Sequence, residues 1–229
     1  MSDKPIKEYP LQTAIELSCA AMRVNGGYVK EIEAFADYNA PGYKFPNKEL
    51  MLIAMGEVSS NKYEDHPNKP HLLCTNKDDQ ALTNDIRQFY KRLLFTAIDG
   101  SDEFRTTLFS VMSKDMVQMN RMGFIACLPS AYMRDRYDML VKRASPGFVA
   151  DIGCEVVDKD CDIIRVSRSK TYDAWNIDAI IDEKLVSWMT SKQVSYGPAV
   201  ILQGKVKDHS KHWQHPIDVT RMNYVKVFQ

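Results

Sequence analysis

The tripeptide Ser145-Pro146-Gly147 divides the chain into two segments of different sequence texture. Proline lacks the backbone N–H that a helix interior needs, and glycine readily adopts turn conformations, so the pair ends a helix. Before this point apolar residues recur every three or four positions, which predicts helices. After it, short runs rich in Val, Ile, Tyr and Trp alternate with polar turns, which predicts strands. The sequence therefore predicts an α+β protein with a helical domain over residues 1–145 and a second domain over residues 146–229.

The helical segment carries several start and stop signals. Leu11, Ile15 and Cys19 lie at helical spacing, and the helix that they predict ends at Asn25-Gly26-Gly27. A short second helix is predicted from Tyr28 to Tyr38. Further helices are predicted to begin at four capping or proline signals, which are Pro46-Asn47, Thr75 with Asp78, Ser101 and Pro129-Ser130.

The second segment contains five predicted strands in roughly 80 residues, the first of them long. Asp182-Glu183-Lys184 is a polar turn between two of these strands, and glycines at 153 and 204 suit close bends. Short strands of this number and spacing fit a small Greek-key barrel of the OB (oligonucleotide/oligosaccharide-binding) type. The predicted strands cover residues 155–169, 172–181, 185–190, 199–207 and 217–228, with a loop over residues 208–216 between the last two.

Charge and cysteine content exclude some classes of protein. The 30 basic residues balance the 30 acidic ones, which argues against a large basic face that coats duplex DNA. The five cysteines are scattered without a C-x-x-C pair, which indicates free thiols in a reducing compartment. No apolar run is long enough for a membrane span, and the opening MSDKPIKEYP has no apolar signal core. A cytoplasmic location is expected, in the host cytoplasm if the protein is phage-encoded.

Three short runs in the second segment are similar to a known group of proteins. They are Trp188-Met189-Thr190-Ser191, Gly204-Lys205-Val206-Lys207-Asp208-His209 and Val219-Thr220-Arg221. They resemble the carboxy-terminal domain of bacteriophage-type DNA-metabolism proteins, which pair a variable helical part with an OB-like barrel. The resemblance covers about the last 70 residues. It implies an OB-like fold and the binding of single-stranded DNA, whereas residues 1–145 match no family.

Single-strand binding needs positive charge along a backbone path and flat rings on which bases stack. The segment from Ile163 onward has ten basic and six acidic residues, and its basic positions interleave with aromatic ones. In an OB fold the usual contacts come from strands two and three and from the loop between the last two strands. The predicted nucleic-acid-binding residues are Arg165, Arg168, Lys170, Tyr172, Trp175, Lys205, Lys207, His209, Lys211, His212, Trp213 and Arg221.

Structural roles compete with several of these assignments. Trp175 and Trp188 lie in short strands, where large aromatic side chains are usually buried. Trp213 differs, because it lies among polar residues in a predicted loop, where burial is hard to arrange. The spacing His209-x-x-His212-x-x-His215 leaves zinc binding open, although it matches no known finger pattern, and no metal site is predicted.

No sequence motif for catalysis is present. The chain has no glycine-rich phosphate loop, no G-x-S-x-G and no H-E-x-x-H. We therefore expect a non-enzymatic single-stranded DNA-binding protein without a cofactor, acting in phage-type replication or recombination. The helical domain would supply contacts for a homo-oligomer or for other replication or recombination proteins.

Three alternatives remain open at the level of sequence. The first is an adaptor or loader that recruits a helicase or nuclease to DNA. The second is a nucleic-acid enzyme with a cryptic site in the helical domain. The third is a phage structural or host-interaction protein that uses the barrel for protein contacts.

Overall fold

A computed structural model describes residues 6–35, 42–63, 70, 72–96, 103–169 and 171–229. The chain forms two compact units, Met1–Met133 and Arg134–Gln229. The division falls inside a helix, so the last turns of that helix belong to the second unit. The predicted domain boundary between residues 145 and 146 stays a prediction. No helix among the described residues is long and apolar enough to cross a membrane.

The first unit is built from helices, as the sequence predicts. They are α1 (Leu11–Asn25), α2 (Asn47–Ala54), α3 (Lys77–Thr96), α4 (Glu103–Met112) and α5 (Met122–Arg143), the last of which continues into the second unit. Two short antiparallel pairs accompany them, β1 (Glu8–Pro10) with β4 (Met116–Gln118) and β2 (Glu33–Phe35) with β3 (Gly42–Lys44). Single-turn 3₁₀ helices lie at Ser60–Tyr63 and Met119–Arg121.

Two helix predictions are wrong. The segment predicted as a helix from Tyr28 to Tyr38 contains strand β2, and residues 36–38 lie outside the described residues. Helix α5 begins at Met122, before the start predicted at Pro129-Ser130, and Pro129 lies inside it. Ser101, which is predicted to cap α4, lies outside the described residues.

The buried amides of Asn25 and Asn47 connect the end of α1 to the start of α2. The Asn25 Nδ2 donates to the Asn47 Oδ1 at 2.7 Å, and that oxygen also accepts the Val29 N–H at 2.9 Å. The Asn47 N–H donates in turn to the Val29 carbonyl at 3.0 Å. Because Val29 is held against α2, the residues after α1 do not continue as a second helix.

Helix α3 begins with a reciprocal cap that lies one residue later than predicted. The Asn76 Oδ1 accepts the Asp79 N–H at 2.9 Å, and the Asp79 Oδ2 accepts the Asn76 N–H at 3.0 Å. Asp79 also receives two hydrogen bonds from the guanidinium of Arg23 on α1, at 2.8 and 3.1 Å. The Asp79 side chain is only 3% exposed, so this ion pair joins α1 to α3 inside the unit.

The second unit is a closed barrel of five strands. They are β6 (Lys159–Arg168), β7 (Trp175–Ile181), β8 (Lys184–Thr190), β9 (Gly197–Lys211) and β10 (Asp218–Phe228), and the short strand β5 (Glu155–Val156) pairs with β9. The order around the barrel is β6, β7, β8, β10, β9 and back to β6. The β8–β10 pair is parallel and the other pairs are antiparallel. This mixed five-strand barrel is compatible with an OB-like fold and confirms the predicted α+β class.

The alternation of β7 explains how the barrel is filled. Ile177, Ala179 and Ile181 are fully buried, whereas the residues between them face outward. Asp182 and Glu183 form the predicted turn, both with positive φ (46° and 64°), as a two-residue hairpin turn requires. Trp188 of β8 is 3% exposed and lies in the barrel core. Trp188 therefore has the structural role of a buried core residue.

The end of α5 covers part of the outer surface of the barrel. Tyr137, Val141 and Ala144 pack against one apolar cluster formed by Ile164, Leu185 and Val219. These three outward positions on β6, β8 and β10 therefore have a structural role. The outward positions of the same strands beyond this cluster are half-buried or exposed, among them Arg165, Ser187 and Arg221.

Candidate nucleic-acid interface

A depression lined mainly by polar residues, which we call the trough, runs along the outer face of β7, β8 and β10. It consists of two adjoining hollows that share Asn176, Ser187 and Arg221. Trp213 and His212 border the first hollow, and Met189 and Asn223 border the second. The trough therefore extends from the β9–β10 loop across the face that OB folds use for ligands.

Strand register explains why these side chains form one surface. Arg165 pairs with Asp178, Asp178 with Ser187, Ser187 with Arg221, and Arg221 with Asp208. Directly paired residues point to the same face of a sheet. A row of alternating basic, acidic and neutral side chains thus crosses all five strands.

Each arginine of this row lies beside a carboxylate. The Arg165 Nη1 is 3.6 Å from the Asp178 Oδ2, and the Arg221 Nε is 3.9 Å from the Asp208 Oδ1. Lys211 forms a further ion pair with Asp218 at 2.6 Å, which holds the pKa of that carboxyl below its ordinary value. The basic groups of the trough are therefore largely balanced by neighbouring acids.

Trp213 is the most exposed aromatic side chain at the trough. Its exposed fraction is 72%, and it lies in the loop between β9 and β10. The loop is shorter than predicted, because β9 continues to Lys211 and places His209 and Lys211 in a strand. Backbone hydrogen bonds from His212 to Ile217 and from Ile217 to His215, both 2.8 Å long, define the loop that presents Trp213.

His212 anchors this loop to the barrel. Its Nδ1 accepts the backbone N–H groups of Gln214 and His215, both at 3.2 Å. Its Nε2 must then carry the proton, and it donates to the Tyr137 hydroxyl at 2.9 Å. The Tyr137 hydroxyl donates in turn to the Asp178 Oδ2 at 2.9 Å. The loop is thus connected through a neutral imidazole to the row that crosses the strands.

Burial lowers the pKa of His212 below its ordinary value of 6.5, and the neighbouring His215 lowers it further. Asp178 and Asp138 act in the opposite direction, whereas Arg165 adds to the lowering. A doubly protonated His212 cannot accept the two backbone N–H groups. Because the released loop binds the proton more tightly, the anchored loop is fully favoured above pH 6.5 and loses stability as the pH falls below that value.

We expect tryptophan emission to report this release. Between about pH 8 and about pH 5, where histidine titrates, the emission of the wild-type protein should change in one step that begins below neutrality. The Trp213→Phe variant is the control, because its remaining tryptophans do not lie in the loop. A wild-type signal that does not differ from that of the variant over this range would contradict the assignment.

The three histidines of the His-x-x-His spacing do not come together. His209 stacks on Phe148 at a ring distance of 3.7 Å, and its Nε2 lies 2.9 Å from the Ala150 carbonyl oxygen. His212 and His215 stack on each other at 5.2 Å. Among the described residues, no group of three or more His, Cys, Asp or Glu side chains could hold a metal ion.

The structure places the predicted binding residues in two sets. Six line the trough, namely Arg165, Lys207, Lys211, His212, Trp213 and Arg221. Lys170 lies outside the described residues. Five others do not line it, namely Arg168, Tyr172, Trp175, Lys205 and His209.

The residues outside the trough have other surroundings. Arg168 pairs with Asp173 and lies over the ring of Trp175, at 5.2 Å from the ring centroid. Trp175 is half-buried against the barrel core, and Tyr172 is exposed in the β6–β7 loop. Lys205 is exposed on β9, where it pairs with Glu155 of β5.

Sequence reasoning missed the neutral side chains of the trough. Asn176, Ser187 and Asn223 contribute amide and hydroxyl groups, and Met189 contributes an exposed apolar one. In the sequence these residues are marked only by their outward positions in alternating strands. Any solvent-exposed strand face has the same pattern, so the pattern does not indicate a binding site. Tyr137 was missed as well, because it comes from α5.

The fold and the trough define a class: a five-strand mixed barrel with a trough on its outer face and one exposed tryptophan beside it. Comparison with known proteins adds no family to this description. No protein-family model, no curated protein and no solved structure matches the chain.

Proposed function

We propose that the protein binds single-stranded nucleic acid along the trough, as a single-stranded DNA-binding protein of replication or recombination. The observation that carries this proposal is the exposed ring of Trp213, held by the His212 anchor beside the face of β7 and β8. Other exposed rings of the barrel, such as Phe228, lie away from the trough, whereas Trp213 borders it. In an OB-like barrel this loop and this face are the usual ligand contacts.

The chemistry of the trough suits a nucleotide chain. A base stacked on an aromatic side chain contributes about 1–3 kcal/mol, largely independently of its identity. Arg165, Arg221 and Lys207 lie where a backbone that crosses the strands would pass, and guanidinium groups match phosphate geometry. The overall charge balance of the chain does not oppose this role, since the contacts are local.

Fluorescence anisotropy with a labelled oligo-dT of about thirty nucleotides tests the proposal, because OB folds cover sites of up to ~16 nucleotides. We expect saturable binding in the micromolar range or tighter, and at least tenfold weaker binding of a duplex of the same length. Equal affinity for the duplex would make the trough a general phosphate binder. No binding to any oligonucleotide at low salt would remove the proposed function.

A second candidate is the adaptor role, and the surface of the helical unit favours it. Val24, Tyr28, Ile32 and Phe35 lie close together in sequence and are 38–44% exposed. An adaptor binds DNA weakly and depends on a motor protein or nuclease for its effect. Weak oligo-dT binding that becomes tight only when a helicase or nuclease is added would favour this function over the first.

A further inference from the structure

Several polar side chains of the trough have no hydrogen-bond partner in the part of the chain that the structure describes. Asn176, Ser187 and Asn223 all line it, and no side-chain hydrogen bond joins any of the three to another group of the described chain. The Ser210 hydroxyl, which lines the first hollow, is buried without a partner among the described residues. The Ser210 hydroxyl is the uncommon one of the four, because a buried hydroxyl without a hydrogen bond is unfavourable, whereas Asn176, Ser187 and Asn223 are half-buried or exposed and can bind water or a ligand.

Most basic side chains of the trough, unlike these neutral ones, lie beside a charged partner. Arg165, Arg221 and Lys211 each lie within 4.0 Å of a carboxylate, whereas Lys207 has no such partner in the part of the chain that the structure describes. A phosphate that approaches one of these arginines must compete with the carboxylate beside it. The gain from phosphate contacts is therefore reduced, and the neutral donors and acceptors carry a larger share of the interaction.

We propose that the trough selects among bases by hydrogen bonds to their edges, with a weak dependence on salt. The inference rests on the function proposed above and specifies its ligand. An amide offers one donor and one acceptor side by side, which matches the paired groups on a base edge, as in the two hydrogen bonds between asparagine and adenine. Asn176 and Ser187 lie on adjacent β-strands. A base stacked on Trp213, or the next base along the bound nucleic acid, therefore meets both side chains from one side.

The arrangement also predicts the salt dependence. The slope of log K against log salt concentration is about −0.7 per phosphate contact for a single strand. With Lys207 as the one basic group of the described trough that has no carboxylate partner within 4.0 Å, the expected slope is about −0.7. A strand held mainly by phosphates would give a slope of about −3 or steeper.

The experiment compares labelled dA, dC and dT oligomers of about twelve nucleotides, within the site size of an OB fold, at two salt concentrations. For the wild-type protein we expect at least tenfold between the tightest and the weakest oligomer. The Asn176→Ala and Ser187→Ala variants should each reduce this ratio to about threefold or less, because each removes a hydrogen-bonding side chain that contacts the base edge. The weakest oligomer should keep its affinity within twofold.

Asn61→Ala serves as the matched control, because Asn61 is exposed in the helical unit and remote in sequence from the trough. Far-ultraviolet circular dichroism verifies that each variant is folded. Equal affinity for all three oligomers with a steep salt slope would overturn base selection and leave the proposed function standing. Retained selectivity in both trough variants would also overturn it. Absence of binding to every oligomer would instead refute the function itself.

Discussion

Replacing Trp213 with alanine is expected to weaken the binding of oligo-dT by at least about fivefold, and by as much as about 150-fold. This range corresponds to the loss of about 1–3 kcal/mol from one stacked base. The side chain is 72% exposed, so its removal takes little from the folded core. The free energy of unfolding should therefore remain within about 0.5 kcal/mol of the wild-type value. Anisotropy titration and urea denaturation measure the two quantities on the same preparation.

Phe228→Ala is the matched control for this prediction. Phe228 is also exposed, lies at the end of β10 and does not line the trough. Its replacement should leave the dissociation constant unchanged within twofold. Trp213→Phe should retain most of the affinity, because a phenyl ring still stacks. Unchanged affinity in Trp213→Ala would withdraw the assignment of the trough as the binding site.

Replacing Asp79 with alanine is expected to lower the free energy of unfolding of the helical unit by about 3 kcal/mol. The carboxylate accepts two hydrogen bonds from Arg23 and one from the Asn76 N–H. A helix cap contributes about 1 kcal/mol, and hydrogen bonds to a charged group about 1.5–3 kcal/mol. The Arg23 side chain is 43% exposed, so it is hydrated after its partner is lost and adds no large penalty of its own. Urea denaturation followed by far-ultraviolet circular dichroism reports the helices directly.

Asp78→Ala provides the comparison at the neighbouring position. Asp78 lies in the same first turn of α3 but is exposed. Its removal should change stability by less than about 0.5 kcal/mol. If both variants lost the same stability, the effect would come from the general charge at the start of the helix and not from the ion pair with Arg23.

The strands of the barrel were predictable because their pattern is local. Ile177, Ala179 and Ile181 alternate with outward residues, and the turn at Asp182 and Glu183 is polar, so the hairpin is visible in the sequence. The full length of β9 could not be predicted from the sequence. His209 and Lys211 read as loop residues, yet they pair with Thr220 and Asp218 of β10. Pairing with a distant strand overrides local composition.

The incorrect prediction of a helix from Tyr28 to Tyr38 has a similar cause. Nothing near Val29 in the sequence indicates that its backbone binds Asn47, which lies eighteen positions further on. In the folded chain Glu33–Phe35 pairs with Gly42–Lys44. The buried amide network therefore overrides the local helical pattern.

The candidate site was predictable only in its exposed part. Trp213 stands out in sequence, because a large ring among lysine and histidine is hard to bury. The row from Arg165 through Asp178, Ser187 and Arg221 to Asp208 depends on the register of five strands, which one sequence does not show. Tyr137 joins this surface from a helix that precedes the barrel in the chain.

The parallel pair between β8 and β10 has a consequence for synthesis of the chain on the ribosome. Leu185 pairs with Val219 and Trp188 with Met222, so the ring of strands cannot close until residue 222 has left the exit tunnel. Folding that depends on such distant pairs is slow, and strands that await their partners are prone to associate with other chains. Residues 1–133, which form the helical unit, emerge earlier. We therefore expect the nascent chain to carry folded helices ahead of an open barrel, and the period before closure to be when it most needs protection by chaperones.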